Sequence, residues 1–292
     1  MKIFLTGANG YIGGAVARAL IAKGHEVRGL VRDEAKGSLI SAFGVIPVVG
    51  SLDDRQLLER EARAADAVVN AASSDHRGAV EALVAGLAGS GKPLLHTSGS
   101  SIVGDEAMGE PSDIVYDERS RIEPEPDKVA RVAIDRLVLP APGVRSVVLC
   151  NTMIYGTSGG EQSIQIPALA NQARESGVAR FIGRGQNRWS NVHIDDVASL
   201  YLLALEKAPA GSFFWVESGE ESFDNIVQAI ADRYSLGRAQ GWDPKEAVAY
   251  WGREMAVFAL GSNSRVRGTL GRDLGWQPQH TSVTTWIRTE LH

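Results

Sequence analysis

The chain has 292 residues, 30 lysines and arginines against 35 acidic side chains, a net charge of −5 and one cysteine, Cys150. Neither sign of charge gathers into a long block, which argues against nucleic acid or an anionic membrane as partner, and a lone cysteine excludes an intrachain disulfide. The length suits one large α/β unit or a domain with a smaller appendage. The N-terminal apolar run, cut short at Gly7, is too brief for a signal peptide or a membrane span, so a soluble cytoplasmic protein, monomer or homodimer, is expected.

Ile3, Phe4 and Leu5 read as a buried parallel strand that Thr6-Gly7 ends abruptly. Gly7, Gly10 and Gly13 follow at three-residue spacing, while Ile12, Val16, Ala19 and Leu20 supply the apolar face of a helix to about residue 23. Glycines between a strand and a helix give a tight turn, close backbone approach and free N–H groups at a positive helix end. That is an anion site suited to a dinucleotide's pyrophosphate. Its candidate contacts are Gly7, Asn9, Gly10, Tyr11, Ile12 and Gly13. A second strand, residues 26–31, ends at Arg32-Asp33. An acid at this position would bond the ribose of NAD, whereas an arginine accepts the extra phosphate of NADP. Arg32 comes first, which favours NADP(H); the alternative leaves Arg32 on a solvated loop and Asp33 as a helix N-cap.

A third strand, residues 45–49, leads to Gly50-Ser51-Leu52-Asp53, where Ser51 can bond the adenine, Leu52 can pack on it, and Asp53 starts a helix over 54–64. Strand 67–70 leads into Ala71-Ala72, small enough for a cofactor to lie against the strand end. A helix over 75–90 and a strand over 93–98 follow. Five strands alternating with helices in the first hundred residues predict a Rossmann-type, doubly wound parallel sheet with helices on both faces. Ligands of such sheets bind at the C-terminal strand ends, where Gly7, Arg32, Ser51, Ala71 and Ser98 all fall.

The T-G-x-x-G-x-x-G turn from Thr6 to Gly13, Ala71-Ala72, Tyr155-Gly156, the stretch WSNVHIDDVA from Trp189 and RDLGWQP from Arg272 together resemble the short-chain dehydrogenase/reductase superfamily. The likeness covers nearly the whole chain and is to the extended or atypical branch, the NAD-dependent epimerase/dehydratase and dihydroflavonol-reductase-like proteins. It implies cofactor contacts from Thr97 and Ser98 after the fifth strand and from Asn151, Thr152 and Met153 after the sixth, residues 146–150, where Asn151-Thr152 replace the family's Arg-Pro. It also implies a catalytic tyrosine four residues before a lysine. Those two positions fall here on Asp127 and Arg131. Arg131 can hold a ribose or phosphate but stays protonated and cannot serve as an acid. Replacement proton donors are Lys128, Tyr116 and Tyr155. The third residue of the family's T-S-S falls on Gly99, so Ser100 is the nearest hydroxyl to hold a substrate carbonyl. A serine-rich turn, a surface lysine and packed tyrosines are the alternatives for these four.

Beyond Gly156 the alternation breaks. Residues 163–175 read as a helix, 180–182 as a strand, 213–216 as part of an aromatic-rich C-terminal part, and Asp195 or Asp196 as the cap of a helix to 207. His193 reads as a packing histidine, and no histidine spacing points to a metal. Residues 1–155 with 191–207 are expected to form the NADP-binding domain, and 156–190 with 208–292 a smaller substrate lobe. Three functions follow: an NADP(H)-dependent oxidoreductase acting on a carbonyl or alcohol of a small organic molecule, a non-catalytic NADP(H) sensor or binder, and a nucleotide-sugar epimerase or dehydratase. Asp127 in the tyrosine position counts against the third.

Overall fold

The computed structural model describes residues 1–292, the side chains of residues 161 and 162 excepted. The first half alternates regularly: β1 (Lys2–Thr6), α1 (Tyr11–Ala22), β2 (Glu26–Val31), α2 (Glu34–Ser41), β3 (Ile46–Val49), α3 (Arg55–Ala64), β4 (Ala67–Asn70), α4 (Arg77–Leu87), β5 (Pro93–Gly99), α5 (Val129–Val138) and β6 (Arg145–Asn151). There follow β7 (Met153–Tyr155), the hairpin β8 (Thr157–Ser158) and β9 (Glu161–Gln162), α6 (Gln165–Ser176), β10 (Arg180–Ile182), β11 (Arg188–His193), α7 (Ile194–Lys207) and β12 (Ser212–Val216). The chain ends with β13 (Gly219–Ser222), α8 (Phe223–Tyr234), β14 (Gln240–Trp242), α9 (Pro244–Trp251), α10 (Leu270–Asp273) and α11 (Val283–Glu290).

Seven parallel strands form the main sheet in the order β12-β6-β5-β4-β1-β2-β3. β4 and all of β1 but Lys2 are buried, because helices cover both faces. Val16, Leu20, Val197 and Leu200 of α1 and α7 pack on one face with Ile3 and Leu5. Leu58, Leu83 and Val138 of α3, α4 and α5 cover the other with Phe4 and Val68. A third core gathers Tyr155, Phe223, Ile230 and Trp286 around α6, α8 and α11. Strand order reverses between β1 and β4, the crevice where such sheets take ligands. No helix among the described residues is long and apolar enough to cross a membrane.

The structure corrects two local expectations. Ser212–Val216, assigned by sequence to the substrate lobe, pairs with β6 as an edge of the main sheet. The long return through α7 brings it there, a pairing that local periodicity does not reveal. The cap of α7 is His193, whose Nδ1 accepts the Asp195 N–H at 3.2 Å. Asp196 is turned inward, accepting N–H groups of Gln279 at 2.7 Å and His280 at 2.9 Å.

Candidate active site

The turn from β1 to α1 has room for backbone and little else. Gly7 has φ of +77°, and a Cβ there would meet the Ala71 carbonyl oxygen at 2.6 Å; a Cβ on Gly13 would meet the Gly7 carbonyl oxygen at 2.1 Å. Gly10 precedes α1 in extended conformation, and no side chain caps the helix. The first N–H groups of a twelve-residue helix are therefore left for a ligand, beside bare backbone that an anion can approach closely. This cradle fits a dinucleotide's diphosphate.

A cleft of about 510 Å³ opens from the cradle. Gly7, Asn9 and Gly10 form one wall, and Arg32, Ser51, Leu52, Ala71 and Ala72 stand around it, as the sequence anticipates. Arg32 is exposed, while Asp33 is committed as N-cap of α2, accepting the Lys36 N–H at 2.8 Å. Of that pair, Arg32 alone faces the cleft. Sequence reasoning missed Asp53, Ser73 and His76 as lining residues. Asp53 does not start α3, which Asp54 caps by accepting the Leu57 N–H at 3.0 Å. It pairs instead with His76 Nε2 at 3.0 Å and accepts a 3.2 Å bond from the Ser51 hydroxyl. The side chains of Tyr11 and Ile12 are engaged elsewhere, while their backbone N–H groups belong to the uncapped first turn of α1. The Tyr11 hydroxyl donates to the Gly156 carbonyl at 2.8 Å, tying the turn to the chain beyond β7, and Ile12 packs on the α1–α7 core.

At the ends of β5 and β6 most implied contacts face inward. The Thr97 hydroxyl bonds the Tyr201 hydroxyl at 2.7 Å, Ser98 donates to Asp135 Oδ2 at 2.7 Å, and the Asn151 amide donates to the Tyr201 oxygen at 3.2 Å. Thr152 donates to the Val216 carbonyl at 2.8 Å, and Met153 is buried in the lobe core. Ser100 is also inside: it is 1% exposed and bonded to the Ser264 hydroxyl at 2.9 Å. A short 3₁₀ turn, Ser100–Val103, follows β5 and gives the outward position to Ser101. No sequence signal separates the two serines, because the turn sets which one faces out.

Arg131 marks the open side of this region. Its Nε and Nη2 donate to the two oxygens of Asp75 at 2.8 and 2.5 Å, and its Nη1 donates to Ser101 Oγ at 3.0 Å. The guanidinium bonds hold the Asp75 carboxyl below the usual carboxylate range. One turn earlier, Lys128 Nζ lies 2.7 Å from Asp127 and 3.0 Å from Glu254. Burial pulls its pKa down, but the bonds to the two carboxylates outweigh burial and hold the ammonium above its ordinary value. The two phenols are placed differently. Tyr155 is 1% exposed, edge-on to His193, and burial raises its pKa. Tyr116 packs on the core of Ile102, Val132 and Val266.

Beneath the strand ends runs a buried polar chain that the sequence did not announce. Thr6 donates to Asn70 at 2.6 Å, the Asn70 amide faces His96 Nδ1 at 3.0 Å, and His96 Nε2 lies 3.5 Å from Asp135 Oδ1. Burial favours the neutral form of its two titratable members, lowering His96 to about 4 and raising Asp135 to about 7. The available signal was a histidine within the apolar β5 and an aspartate on the apolar face of α5. Distant from this chain, His193, Asp195 and His280 form the one His/carboxylate cluster among the described residues, with the two imidazoles stacked at 3.9 Å.

A seven-stranded parallel sheet with a glycine cradle at its switch point defines a Rossmann-type α/β protein. The profile of the NAD dependent epimerase/dehydratase family matches residues 3–214, and the chain belongs to that family. It is 32% identical to the oxidase ucsJ of an Acremonium species, over 95% of this chain and 92% of the relative. It is 27% identical to the 4-hydroxy-2-methyl-3-oxo-4-farnesyl-3,4-dihydroquinoline-1-oxide ketoreductase of Stigmatella aurantiaca, over 75% of this chain and 69% of that one. The crystal structure of UDP-glucose 4-epimerase from Thermotoga maritima shares the fold, with a TM-score of 0.78 at 16% identity, covering 100% of this chain and 97% of the epimerase.

Proposed function

We propose that the protein is an NADP(H)-dependent oxidoreductase acting on a carbonyl or alcohol group of a small organic molecule. The observation that carries the reading is the cleft in which an uncapped helix N-terminus lies across from exposed Arg32 while the neighbouring Asp33 is committed elsewhere. Family membership and the oxidase and ketoreductase among the relatives support redox chemistry. Bound NADP(H) supplies the hydride or accepts it. The chain's own residues do the rest. The N–H groups of α1 hold the diphosphate, Arg32 pairs with the additional phosphate, and Ala71 and Ala72 leave room along the strand end. Arg131 presents a permanent positive charge beside Ser101, able to hold a ribose or carbonyl oxygen. Lys128, one turn away, is the titratable cation that can exchange a proton in place of the family's tyrosine. Residues 1–152 and α7, with β12 added, make the cofactor domain, while β7 and β11 form a separate sheet with β13 and join the remainder in the substrate lobe.

A second reading, an NADP(H) binder without turnover, draws on the inward-facing hydroxyls of Thr97, Ser98 and Ser100. The test is NADPH consumption over a panel of ketones and aldehydes, followed by the absorbance of the reduced nicotinamide. Steady oxidation that NADH supports less well is the expected result. NADPH binding without turnover of any panel member would favour the binder. The double change Asp127→Tyr with Arg131→Lys is expected to raise the rate, since general acid catalysis contributes about 10² to 10⁴-fold.

A further inference from the structure

Beside Lys128 lies a second cavity of about 370 Å³ whose walls include three aromatic rings. Trp251, Met255 and Phe258 line it from the end of α9 and from Glu254–Leu260, a stretch wound as a π-helix. Such widened turns are rare and often mark functional sites. Trp189 closes another side, its indole N–H fixed on the Ser262 carbonyl at 3.0 Å, and Ile164 stands at the edge with its side chain exposed.

Charge decides what this cavity can take. Among the described residues lining it, Lys128 is the only cation and Glu254 the only anion. Lys128 is neutralised twice over, by Glu254 and by Asp127, and its ammonium lies 5.3 Å from the centre of the Phe258 ring. Arg253, the other cation nearby, also lies over the Phe258 ring, 5.2 Å from its centre, and is paired with Glu106 at 2.8 Å. A diphosphate or carboxylate entering here would lie against the Asp127 and Glu254 carboxylates and be repelled by them. An ammonium carries three N–H groups, and the two carboxylates occupy two. One remains for a neutral acceptor such as a carbonyl or hydroxyl oxygen. The position suits the proposed reaction, because Lys128 is one turn from Arg131 and its charge is felt at Asp75.

We infer that this cavity binds a neutral, flat, ring-bearing ketone or the corresponding alcohol, its rings among Trp189, Trp251 and Phe258 and its oxygen on the Lys128 ammonium, and that it does not take a nucleotide sugar. The naming of a ketone rests on the oxidoreductase reading; the class of ligand rests on the cavity alone.

The experiment is a calorimetric titration of the full chain with three probes: 2-acetylnaphthalene, its anionic counterpart 2-naphthoate, and UDP-glucose. The same titrations are run on Trp251→Ala and Phe258→Ala, both half-buried positions. 2-Acetylnaphthalene is expected to bind, to lose about ten-fold in affinity in each variant, and to outbind 2-naphthoate by a similar factor, with no measurable binding of UDP-glucose. NADPH affinity should be unchanged in both variants, which shows that they fold. Tighter binding of UDP-glucose or 2-naphthoate, no binding of 2-acetylnaphthalene, or an affinity that neither substitution moves would overturn the inference. Binding of 2-acetylnaphthalene without its reduction by NADPH would uphold the cavity's assignment while counting against the oxidoreductase reading, so the two failures are distinct.

Discussion

At the Gly7–Gly13 turn the ligand surface is backbone, held open by two glycines whose Cβ positions are filled by carbonyl oxygens, whereas at the ends of β5 and β6 it depends on side chains, and most of those are bonded into the protein interior. The first region has no freedom to vary without losing its shape. The second can exchange a tyrosine for Asp127 and a lysine for Arg131 while the sheet beneath stays the same. The proposed reading therefore assigns nucleotide binding and proton transfer to physically separable parts.

Substitutions that attack each part should separate them. Gly13→Ala places a methyl group within 2.1 Å of the Gly7 oxygen, so it should reduce NADPH affinity by more than about a hundred-fold and destabilise the chain by about 1–3 kcal/mol. Calorimetry and urea unfolding read the two effects; a variant that binds normally would show that the turn is not the nucleotide site. Arg32→Ala should lower NADPH affinity about ten-fold to a hundred-fold, the value of one charge-assisted bond, and leave NADH affinity unchanged. Equal losses for both nucleotides would place Arg32 in a general rather than a phosphate-specific role.

The buried chain below the strand ends gives a pH test. Asp135 is raised to about 7 in the fold, so the native state holds a proton that the unfolded chain releases, and its contribution to stability falls as pH rises from about 4 to 7. His96 is lowered to about 4, so the unfolded chain binds the extra proton, and its contribution rises with pH over about 4 to 6.5. The two slopes oppose each other. Asp135→Asn removes the first and should add a rise on the order of 2 kcal/mol over that range relative to the unsubstituted chain, read by urea unfolding at several pH values. Parallel curves for the two proteins would contradict the assignment. The smallest contrast is between neighbouring serines. Ser100→Ala breaks a buried bond and should cost about 1 kcal/mol of stability with no change in nucleotide affinity, whereas Ser101→Ala should leave stability within about 0.5 kcal/mol and lower kcat. The reverse pattern would return the catalytic assignment to Ser100.

These contrasts follow the line between what the sequence revealed and what it concealed. β1, β2 and β4 were legible because short apolar runs end in Gly, Arg-Asp or Asn-Ala-Ala, and the cradle was legible because only glycine suits both its φ and its contacts. The cleft's near wall followed from the strand ends. Concealed were matters of direction and long-range return: which of Ser100 and Ser101 the 3₁₀ turn faces outward, that Asp75 closes on Arg131, and that Ser212–Val216 comes back to the sheet. The cap of α7 was hidden for a similar reason. His193 takes it because Asp196 is drawn away to Gln279 and His280, residues far along the chain.

In the proposed reading the cradle and Arg32 together form an NADP(H) site. Calorimetric titration of the unsubstituted chain with NADPH and with NADH tests it most directly. The expected result is one nucleotide per chain, with NADPH bound at least about ten-fold more tightly than NADH, the worth of one charge-assisted contact. Equal affinities would contradict the role of Arg32, and no binding of either nucleotide would contradict the site itself.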